Sequence, residues 1–471
     1  MTIEEIISGE SEYIEFKREV PKKSEVYMKT VVAFANGSGG KIVFGVEDST
    51  FQVLGINQED AFSIMDGITS AICDSCIPMI MPIVTLASIE EKVVIVVNIM
   101  PGSQRPYYLR AKGKENGTYI RVSGTTRPAD TFIIRELEFE GVNRCFDQTY
   151  AAPEECVTED EINRLCNMMY QYAVEHCKSE EASERIHRLN RQNLLSWGFL
   201  VKRGDQCFPT NAFLLMTSNQ FPQATIQCAV FKGRDRAVFI DRKEYNGDIV
   251  TQLDAAYEYV LRNINMSSEI HGLYRTDIYE LPTECIREMI CNAVVHRSYL
   301  HPSSIQVAVY DDRVEVTSPG MLFGSLRLED IREGISIPRN RALVYAFTYM
   351  NIMEHWGSGI PRIIRRCKEL GLEEPGLMEI AGSFRINMFR FRDKTRICKS
   401  TDKVRISTDK LNDNYKKIVQ YIEERGAITN KEVQSLLNVK DSRALKILKE
   451  LVVAGVLKKE GKFKGSYYKL K

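Results

Sequence analysis

The most regular alternation of polar and apolar positions runs from Pro282 to Tyr299. Glu288, Asn292 and His296 recur every fourth residue, with apolar residues such as Met289 between them. This spacing predicts a helix that has one polar and one apolar face. A carboxylate four residues before an amide suits a site in which the carboxylate orients water and the amide oxygen binds hydrated Mg²⁺ beside phosphates. A solvated helix face or a satisfied core would show the same spacing.

After this helix the pattern changes to strands and glycine-rich turns. Ile305–Tyr310 and Arg313–Thr317 are predicted as two strands, and the second leads into the turn Ser318-Pro319-Gly320. Further on, Gly357-Ser358-Gly359 opens a predicted helix, whose free N–H groups and dipole favour a phosphate group. Helix, strand pair and glycine-rich helix start therefore follow one another in this order.

This order of motifs resembles the divergent GHKL-type ATPase domain of bacterial proteins assigned as transcriptional regulators or RecG-helicase-related proteins. The resemblance covers roughly residues 270 to 390. The matching motifs are Arg287-Glu288-x-x-x-Asn292-Ala293-x-x-His296-Arg297-x-Tyr299, Ser318-Pro319-Gly320, Arg339-Asn340 and Glu354-x-Trp356-Gly357-Ser358-Gly359-Ile360.

The resemblance implies ATP and Mg²⁺ as cofactors. It implies that Glu288 polarises water, that Asn292 holds Mg²⁺ and phosphate, and that a lid lies between Gly324 and Trp356. GHKL ATPases read the adenine amino group with an Asp, whereas this chain has Thr317-Ser318-Pro319-Gly320 there, and a hydroxyl gives a hydrogen bond with less charge assistance. We therefore expect nucleotide binding with at most weak hydrolysis. The residues implied to contact the nucleotide are Asn292, His296, Ser318, Gly320, Gly357 and Gly359.

The N-terminal part of the chain shows a mixed α/β pattern. The run Asn36–Lys41 is rich in glycine, but it lies after a predicted helix and before a strand, and Ile42 stands where a Walker A motif has Ser or Thr. A P-loop is therefore excluded. The predicted elements are a helix from Ser24 to Ala35 and strands at Ile14–Lys17, Lys41–Val46, Ile83–Ile89, Lys92–Ile99 and Thr118–Val122.

This stretch resembles the Schlafen-type AlbA domain over almost all of residues 1–130. The resemblance implies association with nucleic acid and, in some members, endoribonuclease activity built from three acidic residues. The matching motifs are Glu10-Ser11-x-x-Ile14-Glu15-Phe16-Lys17, Ala33-Phe34-Ala35-Asn36-x-x-Gly39-Gly40-x-Ile42-x-Phe44-Gly45-Val46-x-Asp48, Arg105-Pro106-Tyr107-Tyr108 and Gly117-Thr118-Tyr119-Ile120-Arg121-Val122-Ser123-Gly124.

Metal-dependent cleavage of a phosphodiester needs two or three converging carboxylates and a Lys that balances phosphate charge. Glu10, Glu15 and Asp48 are the candidate carboxylates, with Glu47 as a substitute, and Lys17 follows Glu15 on the same side of a strand. A half-exposed strand in a noncatalytic module would carry the same Glu-Phe-Lys sequence. The residues predicted to bind the nucleic-acid backbone, whether or not the site cuts, are Arg105, Arg121 and Arg127.

The middle of the chain is predicted to be a connector without a catalytic pattern. It resembles the helical connector that precedes the ATPase domain in this family, and we interpret it as a scaffold that transmits motion between its neighbours. Its predicted elements are helices at Thr158–Cys177, Glu180–Leu195 and Asp248–Arg262, a helix pair closed by a basic hairpin between Trp197 and Leu215, and strands within Thr225–Ile240.

The tail shows a three-helix pattern, with the third helix expected to bury Leu445, Leu448 and Val452, followed by a hairpin within Lys458–Lys469. This order resembles a winged helix-turn-helix. From Asn412 onward 14 Lys and Arg stand against 7 Asp and Glu, so the tail carries about +7. A protein-docking winged helix is the alternative to a DNA-binding one. The residues predicted to contact DNA are Ser442, Arg443, Lys446 and Lys449 on the third helix and Lys458, Lys459, Lys462 and Lys464 on the hairpin.

Whole-chain composition changes this picture little. The 471 residues are enough for about three domains of ~100–200 residues each, and 63 Lys and Arg balance 63 Asp and Glu. We expect a cytoplasmic protein that does not enter a membrane, because the chain starts without a signal sequence and lacks a run of ~18–20 apolar residues. The single Cys-x-x-Cys, at Cys73 and Cys76, has no second pair, so we expect reduced thiols rather than a zinc site.

The predicted fold class is therefore multidomain α/β. Two functions fit: an ATP-responsive DNA-binding protein that regulates transcription, or a Schlafen-type metal-dependent nuclease that acts on RNA or DNA and is gated by the ATPase-like domain. A third possibility is a degenerate pocket that serves as a dimerisation scaffold. We expect a homodimer, since winged-helix regulators commonly bind paired half-sites. The predicted domains are a Schlafen AlbA-type module at 1–130, a helical connector at 131–269, a GHKL-type α/β sandwich at 270–392, a linker at 393–413 and a winged helix-turn-helix at 414–471.

Overall fold

The chain folds into two compact units, residues 1–391 and 392–471. The mixed α/β class that the sequence predicts is confirmed. Three parts of the predicted tail lie outside the described residues: the linker at 393–413, five of the ten residues 415–424 expected to form the first helix, and Lys462 and Lys464. The computed structural model describes residues 9–89, 91–122, 124–151, 154–177, 179–218, 220–271, 274–354, 357–390, 417–418, 420–422, 425–437, 439–453, 457–460 and 467–470.

The N-terminal module is built on a four-stranded sheet with the order β1-β2-β5-β4. Strands β1 and β2 are parallel, and the other pairs are antiparallel. The strands of the module are β1 (Ile14–Lys17), β2 (Gly40–Phe44), β3 (Cys76–Ile77), β4 (Ile83–Ile89), β5 (Lys92–Ile99), β6 (Tyr108–Leu109), β7 (Tyr119–Val122) and β8 (Thr125–Pro128). The helices are α1 (Glu25–Asn36), α2 (Ala61–Ser75), α3 (Gly113–Gly117) and α4 (Thr131–Gly141).

Helix α1 is the centre of this module, because nine of its residues are buried against the sheet and the hairpin β7–β8. Its last residue, Asn36, is buried and holds two segments together. The side-chain amide of Asn36 donates to the carbonyls of Tyr107 at 2.8 Å and Tyr119 at 3.0 Å, and its oxygen accepts from the Tyr107 N–H at 2.7 Å. A buried amide with its bonds satisfied fixes local geometry, so this part of the Schlafen-type motif has a structural role.

The larger module of the first unit is built on a six-stranded sheet with the order β12-β11-β15-β16-β18-β17. Its strands are β9 (Leu200–Arg203), β10 (Gln206–Pro209), β11 (Ile226–Phe231), β12 (Phe239–Tyr245), β13 (Met266–His271), β14 (Tyr274–Tyr279), β15 (Ile305–Val309), β16 (Arg313–Pro319), β17 (Gly376–Ile380) and β18 (Ser383–Phe389). Its helices are α5 (Glu159–Glu175), α6 (Glu180–Ser183), α7 (Arg191–Trp197), α8 (Asn211–Thr217), α9 (Ile249–Asn263), α10 (Thr283–His296), α11 (Leu328–Arg332), α12 (Arg341–Tyr349) and α13 (Gly359–Glu369).

This sheet takes in two strands that the sequence assigned to the connector. Strand β11 pairs in parallel with β15, and β12 pairs antiparallel with β11 at the edge. Helices α9 and α10 lie in the crossover between β11 and β15 and share one hydrophobic core with the sheet. The ATPase-like sheet therefore begins near Ile226. The sequence did not indicate this, because parallel neighbours are joined by a long crossover and so lie far apart along the chain.

The helix predicted at Glu180–Leu195 is interrupted. The structure has α6 and α7 instead, separated by residues 184–190. Asn190 starts α7, since its side chain accepts from the Asn193 N–H at 3.2 Å while the Asn193 side chain accepts from the Asn190 N–H at 3.0 Å. This reciprocal cap fixes a new helix start and ends the predicted continuity.

The second unit contains helices α14 (Asn430–Leu437) and α15 (Asp441–Val453) and a small sheet of β19 (Ile428–Thr429), β20 (Leu457–Glu460) and β21 (Tyr467–Leu470). The core face of α15 is formed by Ala444, Ile447, Leu448 and Leu451. Leu448 is buried as predicted, whereas Leu445 and Val452 are only partly buried, because the apolar face is rotated by one residue. Within the part of the chain that the structure describes, no helix is both long and apolar enough to cross a membrane.

Candidate functional site

The polar face of α10 lies at one wall of a cavity. Glu288 is 4% exposed, and the Asn292 amide donates to its Oε1 at 3.2 Å. His296 lines the same cavity one turn further on. Burial lowers the pKa of His296 to about 4, with a smaller contribution from Arg339, so the imidazole is neutral at physiological pH. Periodicity alone thus identified three residues that the fold brings to one cavity.

The glycine-rich helix start packs directly on these side chains. A Cβ placed on Gly359 would lie 2.1 Å from Glu288 Oε1 and 3.2 Å from the Asn292 amide nitrogen. Gly357 has a positive φ of 68°, and a Cβ there would lie 2.0 Å from the Gly334 carbonyl oxygen. Both positions require glycine, and the absence of side chains leaves the backbone of this turn beside the carboxylate and the amide.

Arg362 closes the other side of Glu288. Its Nη2 contacts Glu288 Oε2, and its Nη1 lies 2.8 Å from Glu354 Oε1. Burial raises the pKa of Glu288, while the guanidinium and the Asn292 amide oppose that shift. Sequence reasoning missed Arg362; the available signal was its position three residues after Gly359, which places it one helical turn from the glycine on the same face.

The cavity itself has a volume of about 180 Å³. Ligand pockets are usually about 300–1,000 Å³, so this cavity is smaller than a usual ligand pocket. None of its described lining residues is Lys or Arg, and its acidic residues are Glu288 and Glu354. The remaining walls are largely apolar and come from β16, β18 and the segment between β16 and α12, including Leu322, Leu326 and Ile337.

Thr317 and Ser318 lie at the end of β16, where GHKL ATPases have the adenine-reading Asp, and their hydroxyl groups point to opposite faces of the sheet. Ser318 lines the cavity, and its hydroxyl donates to the Ala293 carbonyl at 2.8 Å, which leaves its oxygen free to accept. Thr317 faces away and accepts from Arg385 Nε at 2.9 Å. Gly320 also lines the cavity. An adenine amino group could therefore be accepted by Ser318 alone, without the charge of a carboxylate.

The cavity wall is held from outside by the N-terminal module. Arg105, whose side chain is 4% exposed, donates from Nη1 to the Gly324 carbonyl at 3.0 Å and from Nη2 to the Gly37 carbonyl at 2.5 Å. The same guanidinium pairs with Glu140 at 2.5 Å, and Glu140 accepts from the Gly324 N–H at 3.4 Å. One buried ion pair therefore links the turn after α1 to the start of the predicted lid.

Two further contacts continue this link. Arg327 lies with its guanidinium 4.4 Å from the centre of the Tyr13 ring and donates to the Ser38 carbonyl at 3.4 Å. The Ser38 hydroxyl donates to the Leu326 carbonyl at 3.5 Å. We call residues 321–327 the wall segment, since its members Met321, Leu322, Phe323 and Leu326 line the cavity while Gly324, Leu326 and Arg327 contact the N-terminal module.

The acidic residues of the Schlafen-type motif are not gathered into a metal site. Glu15 is 8% exposed; its carboxylate contacts Arg121 at 2.6 Å and Lys17 at 3.0 Å and accepts from the Thr30 hydroxyl at 3.0 Å. Glu10 accepts from the Phe16 N–H at 3.0 Å, and Asp48 is exposed. Among the described residues, no group of three or more His, Cys, Asp or Glu could hold a metal ion.

Two of the arginines predicted to bind nucleic acid are buried. Arg105 and Arg121 are each 7% exposed, and both are occupied by the ion pairs given above. Because both guanidinium groups are buried and paired, the expectation that they bind a nucleic-acid backbone does not hold. The sequence did not reveal these pairs, since each glutamate lies far from its arginine along the chain. Arg127, on β8, is exposed.

In the second unit, Arg443 is exposed on α15, and Lys458 and Lys459 are exposed on β20. Lys458 lies 3.6 Å from Glu460, a surface pair that contributes little to stability. The side chains of Ser442, Lys446 and Lys449 lie outside the described part of the chain. The DNA contacts assigned to this unit remain a prediction.

Comparison with known proteins bears on both modules. Residues 10–130 match the family described as "Schlafen, AlbA_2", and residues 303–388 match the family described as "Putative ATP-dependent DNA helicase recG C-terminal". The chain thus combines a Schlafen AlbA_2 domain with a RecG-type ATPase-like domain. This pairing is that of a nucleic-acid-associated protein of the ATPase type.

Two solved structures are similar to parts or all of the chain. The DIP2311 protein from Corynebacterium diphtheriae is 16% identical, with 98% of this chain and 92% of that chain covered and a TM-score of 0.43. The N-terminal domain of a putative ATP-dependent DNA helicase RecG-related protein from Nitrosomonas europaea is 25% identical, with 27% and 89% covered and a TM-score of 0.22. A comparison with curated proteins finds no match.

Proposed function

We propose that this protein is an ATP-responsive DNA-binding protein that regulates transcription. The observation that carries the proposal is the position of the wall segment. It forms a wall of the cavity beside Glu288 and Asn292. It also contacts the Schlafen AlbA_2 domain, through Arg105 of that domain and through its own Arg327. A ligand that enters the cavity therefore acts directly on the contact between the two domains.

The residues of the cavity suit Mg²⁺ and a nucleotide. The Asn292 side-chain oxygen is the kind of hard ligand that Mg²⁺ takes together with phosphates and waters, and the Gly357–Gly359 turn offers backbone N–H groups at the start of an 11-residue helix. We assign to Glu288 the role of orienting a water molecule and to Ser318 that of accepting a hydrogen bond from the adenine amino group. ATP and Mg²⁺ would supply the phosphate charge and the hydrolysable bond. In the arrangement described, Glu288 is occupied by Arg362, so hydrolysis is expected to be slow as long as this pair persists.

We infer that the wall segment moves when a nucleotide enters, since it forms one side of a cavity whose volume of about 180 Å³ is smaller than that of a usual ligand pocket, ~300–1,000 Å³. A ligand shifts such an equilibrium only if it binds the two arrangements with different affinity. A nucleotide that binds the open arrangement more tightly meets this condition. We infer that the basic second unit provides the DNA contact, through Arg443, Lys458 and Lys459 among others.

The proposal is tested by measuring DNA binding of the full chain with and without Mg·ATP, using fluorescence anisotropy. We expect ATP to change the DNA affinity by about 5- to 150-fold, the usual range of coupling between sites. Arg327→Ala removes the contacts with Tyr13 and Ser38 and is expected to bring this factor close to one while ATP still binds.

The matched control is Arg332→Ala, which removes an arginine whose described partner is Glu374 on the surface. It should leave the ATP effect on DNA binding intact. An ATP effect of the same size in the wild type, Arg327→Ala and Arg332→Ala would contradict coupling through the wall segment. DNA binding that ATP leaves unchanged in the wild type would contradict the proposed function itself.

A further inference from the structure

Arg362 bridges the two carboxylates of the cavity. It lies in the first turn of α13, with Nη2 on Glu288 and Nη1 on Glu354, and Glu354 also accepts from the Ser358 hydroxyl at 2.7 Å. Glu288 belongs to the core helix α10, whereas Glu354 lies at the end of the segment that follows α12. The guanidinium therefore ties a core carboxylate to the far end of the predicted lid.

Within the part of the chain that the structure describes, the cavity is lined by no positively charged side chain for the phosphates of a nucleotide. Its described lining residues include two glutamates and no Lys or Arg, an unfavourable setting for the phosphates of a nucleotide. Mg²⁺ and the helix start can offset part of that charge. Arg362 contacts both glutamates from the edge of the cavity, and its side chain is 30% exposed, so it is neither part of the core nor free in solvent. A guanidinium binds phosphate as readily as carboxylate, with two parallel hydrogen bonds.

We propose that Arg362 recognises the terminal phosphate of a nucleoside triphosphate by exchanging its carboxylate partners for that phosphate. This inference rests on the proposed function and adds to it the basis on which the site distinguishes a triphosphate from a diphosphate. In the arrangement described, Arg362 neutralises Glu288 and holds Glu354. In the exchanged arrangement Glu288 is free to orient water, and the end of the lid is released from α13. A diphosphate lacks the terminal group and leaves the bridge in place.

The test is calorimetric titration of the full chain with Mg·ATP and with Mg·ADP. The wild type is expected to bind ATP at least about tenfold more tightly than ADP, the order expected for hydrogen bonds to a charged group. Arg362→Met is expected to lower the affinity for ATP by about tenfold more than the affinity for ADP, so that the preference disappears. Both nucleotides lose the neutralisation of Glu288, but ATP alone also loses the contact with its terminal phosphate. Arg362→Lys should restore part of the preference, because it keeps the charge and loses the two-pronged geometry.

The matched control is Arg366→Met, one turn further along α13. Arg366 pairs at 2.8 Å with Glu284, on the surface away from the cavity, so its loss should leave the ATP preference unchanged. Glu354→Gln supplies an independent variant that keeps Arg362. This change removes the charge of the carboxylate that competes with phosphate for Arg362. The preference for ATP is expected to increase by about two- to fivefold, which corresponds to the small contribution of a partly exposed ion pair.

The outcomes distinguish a failure of the role of Arg362 from a failure of the proposed function. A preference for ATP that persists in Arg362→Met overturns the role of Arg362 and leaves the proposed function standing. Failure of the wild type to bind either nucleotide overturns both. Should thermal unfolding show that Arg362→Met is not folded, Glu354→Gln decides: an unchanged ratio of ATP to ADP affinity in that variant contradicts the exchange.

Discussion

The chain contains two buried glutamates that the sequence singled out as catalytic candidates, Glu15 and Glu288, and their surroundings differ. Glu15 accepts from Thr30 and contacts Arg121 and Lys17, so the fold of its own domain satisfies the carboxylate completely. Glu288 lines a cavity. Its partners there are the Asn292 amide and the partly exposed Arg362.

This difference shows why a motif alone does not identify a catalytic carboxylate. Both glutamates match the patterns of their families, yet one carboxylate is enclosed by partners from its own domain and the other stands beside space for a ligand. A buried ion pair that is complete in the folded chain stabilises or specifies a fold. A buried carboxylate beside a cavity keeps lone pairs for water or a ligand. The ATPase-like domain is therefore the part of the molecule where chemistry is to be sought.

The largest effect that separates the two sites is expected for Glu15→Ala. Removing this carboxylate leaves Arg121 buried and unpaired, which costs about 3–5 kcal/mol of unfolding free energy. Chemical denaturation of the full chain measures the loss. The control is Asp48→Ala at an exposed position, expected to change stability by less than ~0.5 kcal/mol. A Glu15→Ala protein of wild-type stability that had lost a metal-dependent RNA cleavage would instead support the nuclease hypothesis.

A smaller effect is expected for Gly359→Ala. The added methyl would fall 2.1 Å from Glu288 Oε1 and must displace the carboxylate or the helix start, at a cost of about 1–3 kcal/mol. Mg·ATP affinity should fall with it, since the same turn is proposed to bind phosphate. Gly67→Ala is the matched change in α2 of the other domain, where a Cβ meets nothing within 4 Å. It should stabilise the protein by ~0.5–1 kcal/mol, and equal behaviour of the two variants would show that the turn is not constrained.

The smallest effect concerns the anchor of the wall segment. Glu379 accepts from the Leu322 N–H at 2.6 Å, and burial raises the pKa of Glu379 to about 7 from 4.5. A raised carboxyl pKa contributes stability that is full below about pH 4.5 and is lost as the pH rises through about 7. Glu379→Gln, which imitates the protonated form, should therefore lose less stability than the wild type between pH 5 and 8, by ~1 kcal/mol after allowance for partial exposure. Parallel pH profiles of the two proteins would refute this assignment.

The predictable part of the site consisted of local patterns. The helix carrying Glu288 and Asn292 follows from period and polarity, and the structure confirms it at Thr283–His296. The strand pair and the helix start at Gly359 follow from the same local rules. In each case neighbouring residues contain the whole signal.

The parts that escaped prediction depend on long-range contacts. Arg121 looked like a phosphate ligand until the fold paired it with Glu15, 106 residues away. Arg105 similarly meets Gly324 across 219 positions. Strand β11 joined the ATPase-like sheet through a parallel pairing with β15. Periodicity describes which face of an element is buried, but it contains no information about which distant charge will meet that face.

The most direct test of the account is equilibrium binding of Mg·ATP to the full chain, compared with Asn292→Ala by calorimetry. We predict micromolar binding by the wild type, about −8 kcal/mol, and a loss of at least about tenfold in the variant, because the amide oxygen is the proposed ligand of Mg²⁺. Equal affinities in the two proteins, or no binding by either, would contradict a working nucleotide site beside Glu288.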